Sequence, residues 1–244
     1  MLDRLGDVDW PRLRHAFGPA RDVPGLLRAI AAGDATARRA ALEALHETIW
    51  HQGTVYEATA AAVPFLLELA ARPGAPDRDA VTVLLGLVAQ GQSYHAVHAP
   101  SRRDEVAREL GWVRAARAAV REGVAAAVAL LRDPDAAVRR AAAYLLSCLP
   151  EDVERSRPAL RDALASAGDA TERAAAGLAL AILGELATDA FDPGARAALP
   201  AARLRALAAA TAGGAFPPES AREVLLELST DGLDPELLDD LGAP

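Results

Sequence analysis

The sequence has no lysine, no asparagine, one cysteine and one methionine, and aromatic residues make up only 4% of its 244 positions. Without lysine, the chain has no Walker A lysine, no kinase lysine and no Schiff-base lysine. It also has neither the G-x-S-x-G pattern of a nucleophile elbow nor a G-x-G-x-x-G loop. These absences exclude many enzyme classes. They leave catalysis open as a question and favour a protein without enzymatic activity.

The single cysteine, Cys148, lies in the apolar segment AAAYLLSCLP and cannot form an internal disulfide. A chain of this kind is typical of a reducing compartment, so we expect a cytoplasmic location. The first residues, MLDRLGDVDW, lack the basic head and apolar core of a signal peptide. No run of about 18 apolar residues occurs, so no membrane span is predicted.

Alanine and leucine supply most of the apolar residues, which form 52% of the chain beside 25% charged residues. The β-branched and aromatic residues that strands favour are few, and this composition predicts an all-α fold.

All 26 basic residues are arginines, and the net charge is -8. Residues 101–140 carry 9 Arg against 6 acids, or +3, whereas residues 141–244 carry 8 Arg against 17 acids, or -9. General nucleic-acid binding usually needs a basic footprint, so duplex DNA is not expected as a partner.

A repeated unit runs along the chain: Asp, then small or polar residues, then Arg, two alanines, and leucines at helical spacing. Its copies are DATARRAALEAL from Asp34, a degenerate DRDAVTVLLGLV from Asp77, DAAVRRAAAYLL from Asp135 and DATERAAAGLAL from Asp169. Another apolar helical segment precedes each copy. The pattern predicts helix pairs in which Asp is the N-cap of the second helix and the leucines form its buried stripe.

Two residues interrupt first helices of these pairs. Pro64 lies within YEATAAAVPFLLELA, and Gly123 lies at the matching place in AARAAVREGVAAAVALL. Both predict a kink.

The repeated unit resembles the HEAT-repeat family, including the short bacterial HEAT-like repeats named after phycobilisome lyases. The resemblance rests on Asp34, Arg38, Arg39, Ala40 and Ala41, on Asp135, Val138, Arg139, Arg140, Ala141 and Ala142, and on Asp169, Arg173, Ala174 and Ala175. It implies a right-handed α-solenoid of about five helix pairs with capping helices, a fold that usually serves as a binding scaffold.

We therefore predict a single domain over residues 1–244. It consists of an N-terminal cap at 1–21, clear repeats at 22–186 with an insertion at 91–104, and a divergent repeat with an acidic C-terminal cap at 187–244.

The segment HETIWHQGTVYEAT, residues 46–59, is similar to a helical zinc-protease signature, but its histidines are five residues apart instead of four. Five residues turn a helix by about 140°, so His46 and His51 cannot share a face. We predict a junction between helix pairs, in which Thr54 and Glu57 form a capping box. No metal, cofactor or catalytic residue is predicted there.

The next junction, QGQSYHAVHAPSRR at 90–103, is longer than the usual connection of about 2–8 residues. Alternate junctions of stacked pairs share an edge, so we expect this insertion beside the earlier junction. The predicted binding residues of this edge are Trp50, His51, Gln52, Tyr94, His95 and His98. Two alternatives stay open: polar loop residues that serve solubility alone, and a metal held through His95-x-x-His98.

Arginines that follow the insertion form a second candidate group, since arginine suits carboxylates and phosphates. They are Arg102, Arg114, Arg117 and Arg121, and the last three recur at i, i+3 and i+7. The alternative is a solvated helix face paired with Glu109 and Glu122.

The favoured function is a non-enzymatic scaffold or adaptor that binds another protein, of which a regulatory or immunity protein is one form. The alternative is a HEAT-like DNA glycosylase acting on alkylated purines, which would use Trp50, Trp112 and the arginines of 102–121. A bilin lyase is suggested by the name of the repeat alone.

Overall fold

A computed structural model describes residues 2–184 and 218–230 of the chain. By the contacts among its residues the chain divides into two compact units, Met1–Gly123 and Val124–Pro244, and each is described by itself. The described residues are mainly helical, which confirms the predicted all-α class. Among them, no helix is both long and apolar enough to span a bilayer.

The N-terminal unit begins with two 3-10 turns, Asp3–Asp7 and Trp10–Arg12, and continues with helices and two short hairpins. Its strands are β1 (Arg14–His15), β2 (Gly18–Pro19), β3 (Trp50–His51) and β4 (Thr54–Val55). Its helices are α1 (Val23–Ala32), α2 (Ala35–Ile49), α3 (Glu57–Ala70), α4 (Arg78–Ala89), α5 (Tyr94–His98) and α6 (Arg103–Glu122). The buried core includes Leu5, Leu27, Leu45, Ile49, Leu66 and Leu85.

In its described residues, the C-terminal unit has two further helix pairs and a helix at 218–229. The helices are α7 (Val124–Leu130), α8 (Ala136–Ser147), α9 (Val153–Ser166), α10 (Ala170–Ile182) and α11 (Pro218–Ser229). Helix α11 packs on α8 and α10. The core is formed by Tyr144, Leu145, Leu146, Leu149, Leu160 and Leu178.

The four predicted helix pairs are present as α1–α2, α3–α4, α7–α8 and α9–α10, and the two helices of each pair contact each other. Within each unit, a first helix packs on the next first helix and a second helix on the next second helix. Most of the predicted divergent repeat and cap at 187–244 lies outside the described residues. The right-handed solenoid and the single domain over residues 1–244 stay predictions.

Three of the four predicted aspartate caps are confirmed. Carboxylate oxygens accept hydrogen bonds from backbone N–H groups at Asp34 (from Ala37, 2.8 Å), Asp135 (from Ala137, 2.9 Å) and Asp169 (from Glu172, 2.8 Å). The prediction for Asp77 is wrong, because its backbone is left-handed at φ 58° and its side chain makes no cap bond. That carboxylate instead accepts a bond from Arg38 Nε at 2.6 Å.

The arginine four residues after the capping aspartate has the same role in both units. Arg38 donates to the carbonyl of Gly33 in its own loop and to Asp77, which precedes the next second helix. Arg139 likewise donates to the carbonyl of Asp133 and pairs with Glu172 in the next second helix. The repeated arginine therefore ties each second helix to its own turn and to the following repeat.

The two predicted interruptions have different outcomes. Gly123 divides the predicted first helix, since α6 ends at Glu122 and α7 begins at Val124. A Cβ on Gly123 would lie 2.2 Å from Leu67 Cδ2, so any larger residue there would have to displace the Leu67 side chain of α3. Pro64 lies inside α3, which continues across it from Glu57 to Ala70.

Candidate functional site

The first junction is a tight β-hairpin. Strand Trp50–His51 pairs with Thr54–Val55 in antiparallel register, and Gln52 and Gly53 form the two-residue turn with φ of 49° and 85°. Two left-handed residues are typical of the type I′ hairpin turn. The predicted Thr54–Glu57 capping box is wrong, because Thr54 belongs to the strand. The hydroxyl of Thr59 instead accepts the Tyr56 N–H at 2.8 Å and donates to the carbonyl of Ile49 at 2.6 Å.

The hairpin and the insertion are joined through their backbones. Gln92 N donates to the carbonyl of Gly53 at 2.7 Å, and Val55 N donates to the carbonyl of Gln92 at 3.2 Å. Gly91 lies against the side chain of Val55, where an added Cβ would lie 2.1 Å from Cγ1. The structure thus brings together the two junctions that the repeat pattern placed on one edge.

A buried carboxylate fixes the start of the insertion on α6. Glu109 is 7% exposed and accepts three hydrogen bonds: from Ser93 Oγ at 2.8 Å, from His95 N at 3.0 Å and from His95 Nδ1 at 2.6 Å. Ser93 also caps α5, since its Oγ accepts the Ala96 N–H at 3.0 Å. A single side chain of α6 therefore holds both the cap and the first turn of α5.

The electrostatics of this anchor favour the ionised carboxylate. Burial alone raises the pKa of Glu109, but the hydrogen bonds from His95 and Ser93 outweigh it, and the pKa lies below its ordinary value. Burial, and then the nearby charge of Glu109, raise the pKa of Tyr56. The interpretation of Glu109 as a partner of the arginines on a solvated face is wrong.

The insertion presents apolar side chains to solvent although it is held from within. Tyr94 and Val97 on α5 are 51% and 54% exposed, and Leu110, the residue after Glu109 on α6, is 37% exposed. We call these three residues the insertion surface. Phe17, in the turn between β1 and β2, is 67% exposed and lies edge-on to the ring of His51 at 5.3 Å between centroids.

The predicted binding residues of the first junction differ in their exposure and in their hydrogen bonds. His51 bonds through Nδ1 to Glu47 at 3.0 Å, and Gln52 is exposed at the tip of the turn. Trp50 is half-buried against the ring of His46, 4.7 Å between centroids. Its Nε1 has no hydrogen-bond partner among the described residues.

The two predicted histidines of the insertion also differ in their exposure and in their partners. His95 is bound to Glu109, whereas His98 is exposed with its ring 4.8 Å from that of Tyr94. Residues 2–184 and 218–230 contain no group of three or more His, Cys, Asp or Glu side chains placed to hold a metal ion.

The four predicted arginines do not form one site. Arg102 is exposed, with Nη1 3.4 Å from His95 Nε2, and Arg114 is exposed on α6. Arg117 is half-buried and donates to the carbonyl of Ala89 at 2.5 Å, which fastens α6 to the end of α4. Arg121 is half-buried. Trp112, which the glycosylase alternative would use, is half-buried with the guanidinium of Arg108 5.6 Å from its ring centre.

Sequence reasoning missed Phe17, Val97, Leu110 and the role of Glu109. A helical wheel of α6 places Leu110 on the same side as Arg103 and Arg114, which could have indicated exposure. The other three residues carry no such signal, because their exposure or burial depends on contacts between segments distant in sequence.

Compared with models of protein families, with curated proteins and with solved structures, the chain gives no significant match. The likeness to HEAT repeats therefore rests on the residues of the repeat alone.

Proposed function

We propose that this protein is a non-enzymatic helical-repeat scaffold that binds another protein through the insertion surface. The observation that carries the proposal is where the exposed apolar side chains lie. The large apolar side chains exposed in the described part of the chain are Phe17, Tyr94, Val97 and Leu110. Three of them lie on the adjacent helices α5 and α6, and the fourth contacts the hairpin that bonds the insertion.

Single exposed apolar residues are normal on protein surfaces, but a cluster is typical of interaction sites. The start of the insertion, which carries Tyr94, is also held in place. The backbone of Gln92 and the carboxylate of Glu109 fix both ends of the segment that carries Tyr94. A surface ordered before binding loses less conformational entropy when a partner binds, so anchoring suits recognition.

The proposal is tested by photo-crosslinking in cells that produce the protein. A photoreactive amino acid at Val97 is expected to capture a partner that the same group at Ala40, exposed on α2, does not capture. The partner is then purified, and its affinity is measured by calorimetry for the wild type and for the variant Tyr94→Ala/Val97→Ala/Leu110→Ala.

We expect the triple variant to weaken binding by at least about tenfold, since anchor residues at interface centres contribute most of the affinity. The matched control is Arg28→Ala/Arg39→Ala/Glu43→Ala, three exposed residues of α1 and α2, which should leave affinity unchanged. Equal affinity of the wild type and the surface variant, with unchanged thermal unfolding of both, would refute the proposal.

A further inference from the structure

We infer that the partner binds the insertion surface with an acidic segment that carries an apolar anchor residue. This inference rests on the proposed function and names the chemistry of the partner. It follows from the charges around the insertion surface and from their spacing along α6.

The exposed charges near the insertion surface are mostly positive. Between residues 94 and 114 the exposed arginines are Arg102, Arg103, Arg108 and Arg114, and the exposed acid is Asp104. Of the other two acids of this segment, Glu109 is buried, and Glu105 is half-buried and pairs with Arg102 (Nε to Oε1, 3.8 Å), which leaves three exposed arginines, Arg103, Arg108 and Arg114, beside Asp104. The chain as a whole has a net charge of -8, so this basic surround is a local feature. Complementary charges at the rim of an interface steer and select partners.

Two of these arginines, Arg103 and Arg114, lie on either side of Leu110 along α6. Leu110 and Arg114 lie about 20° to either side of Arg103 around α6, because seven and eleven residues are close to whole numbers of turns. Along the helix axis, Arg103 lies about 10 Å from Leu110 and Arg114 about 6 Å on the other side. An extended peptide advances about 3.3 Å per residue, so it would place acids about three residues to one side of its apolar residue and two to the other.

A protein segment fits this surface better than a nucleic acid does. Aliphatic contacts with Val97 and Leu110 suit a leucine or phenylalanine side chain, whereas phosphates bind through charge and hydrogen bonds, which these two side chains do not offer. A long polyanion would also meet the repulsion of a chain with net charge -8, which a short acidic segment meets far less.

The test is selection of random 12-residue peptides displayed on phage against the full chain. We expect the selected peptides to be enriched in Asp and Glu around one bulky apolar residue, at the spacing given above to within one residue. Synthetic copies are then measured by fluorescence anisotropy against the wild type, Arg103→Glu/Arg114→Glu, and the control Arg28→Glu/Arg39→Glu. The control makes the same change in net charge at exposed positions of α1 and α2.

We expect the α6 reversal to weaken binding at least about tenfold, the control to weaken it less than about twofold, and peptides with Lys in place of the acids to prefer the reversed variant. Circular dichroism and thermal melting verify that both variants fold.

The outcomes separate the inference from the proposed function. Neutral or basic peptides that bind the wild type but not the variant Tyr94→Ala/Val97→Ala/Leu110→Ala would overturn the acidic partner and leave the proposed function standing. Peptides unaffected by that triple variant would overturn both. A single-stranded oligothymidine of 12 nucleotides that competes with the peptides at micromolar concentration would overturn the inference in favour of a nucleic-acid ligand.

Discussion

Glu109 is the side chain on which the position of the insertion depends, because Ser93 and both the backbone and the ring of His95 donate to it. Glu109→Gln removes the charge and one acceptor while keeping the shape. We expect the free energy of unfolding to fall by about 1–3 kcal/mol, as is usual for lost hydrogen bonds to a buried charge. Urea denaturation at pH 7 measures this, with the exposed Glu122→Gln as the control on the same helix.

The effect of Glu109→Gln should depend on pH with a defined sign. The pKa of Glu109 is lowered in the fold from its ordinary value of 4.5, so its ionised form stabilises the folded chain. This contribution is complete above the ordinary value and is lost as the pH falls through the lowered pKa. The difference in stability between wild type and variant should therefore narrow below about pH 4.5. A difference that stays constant down to pH 3 contradicts the assignment.

Gly91 permits the close contact between the insertion and the hairpin. In Gly91→Ala the new Cβ meets Val55 Cγ1 at 2.1 Å, and we expect a loss of about 1–3 kcal/mol in unfolding free energy. Adding Val55→Ala should relieve part of that loss, so the double-mutant cycle should show favourable coupling. Gly111→Ala is the control, since nothing lies within 4 Å of its Cβ and it should stabilise α6 by up to about 1 kcal/mol.

At the scale of single elements, the β3–β4 hairpin has a turn whose first residue is not the preferred one. Gln52 has φ 49°, where asparagine is favoured over glutamine, and Asn-Gly is the preferred type I′ pair. Gln52→Asn is expected to stabilise the protein by a few tenths to about 1 kcal/mol. Gly53→Ala, at φ 85°, should destabilise it by about 1 kcal/mol. Thermal unfolding of both variants measures these changes in stability. A Gln52→Asn variant that is less stable than the wild type would contradict the type I′ turn.

The elements that the sequence predicted well are those whose signals are local. Asp34, Asp135 and Asp169 cap helices because a cap requires only the next few residues. The sequences at Asp77 and at Thr54–Glu57 show similar capping patterns, but contacts with residues distant in sequence determine the structure at both places. Arg38 occupies the carboxylate of Asp77, and the bridge to Gln92 holds Thr54 in a strand. Composition predicted the helical class, whereas the hairpins depend on pairing between segments that no periodicity shows.

The candidate site was predictable in position and only partly in chemistry. The alternation of turns and junctions predicted that the insertion would lie beside the first junction, and the bonds of Gln92 with Gly53 and Val55 agree. Which side chains face outward could not be read from the pattern. The pattern predicted that the side chain of His95 would bind a partner, but that side chain is hydrogen-bonded to the buried Glu109. Val97, which was not predicted, is exposed.

At the scale of the whole molecule, the N-terminal unit has its own core, formed by its own helices. We expect residues 1–123 expressed alone to be helical by circular dichroism and to melt in one cooperative transition. They should also bind the peptides selected by the full chain with unchanged affinity, because the insertion surface lies entirely within this unit. A fragment without a melting transition contradicts the prediction.

The charge of the whole chain predicts weak attraction to nucleic acid. With a net charge of -8, and -9 carried by residues 141–244, the protein should bind duplex DNA no more tightly than about micromolar at about 150 mM salt. A gel-shift titration measures this. A sub-micromolar complex under those conditions would show that the basic surround of the insertion surface outweighs the total charge.

The middle of the insertion can be replaced without loss of the hydrogen bonds that hold its start. The bonds of the insertion to the hairpin and to Glu109 lie at its start, at Gln92, Ser93 and His95, and the backbone N–H groups of Val97, Ala99, Arg102 and Arg103 donate to residues inside the insertion itself. Evolution could therefore vary residues 96–101 in length and sequence while keeping the same framework, as it does with hypervariable loops. For protein engineers, the same segment is a place to graft a new recognition sequence onto a helical framework.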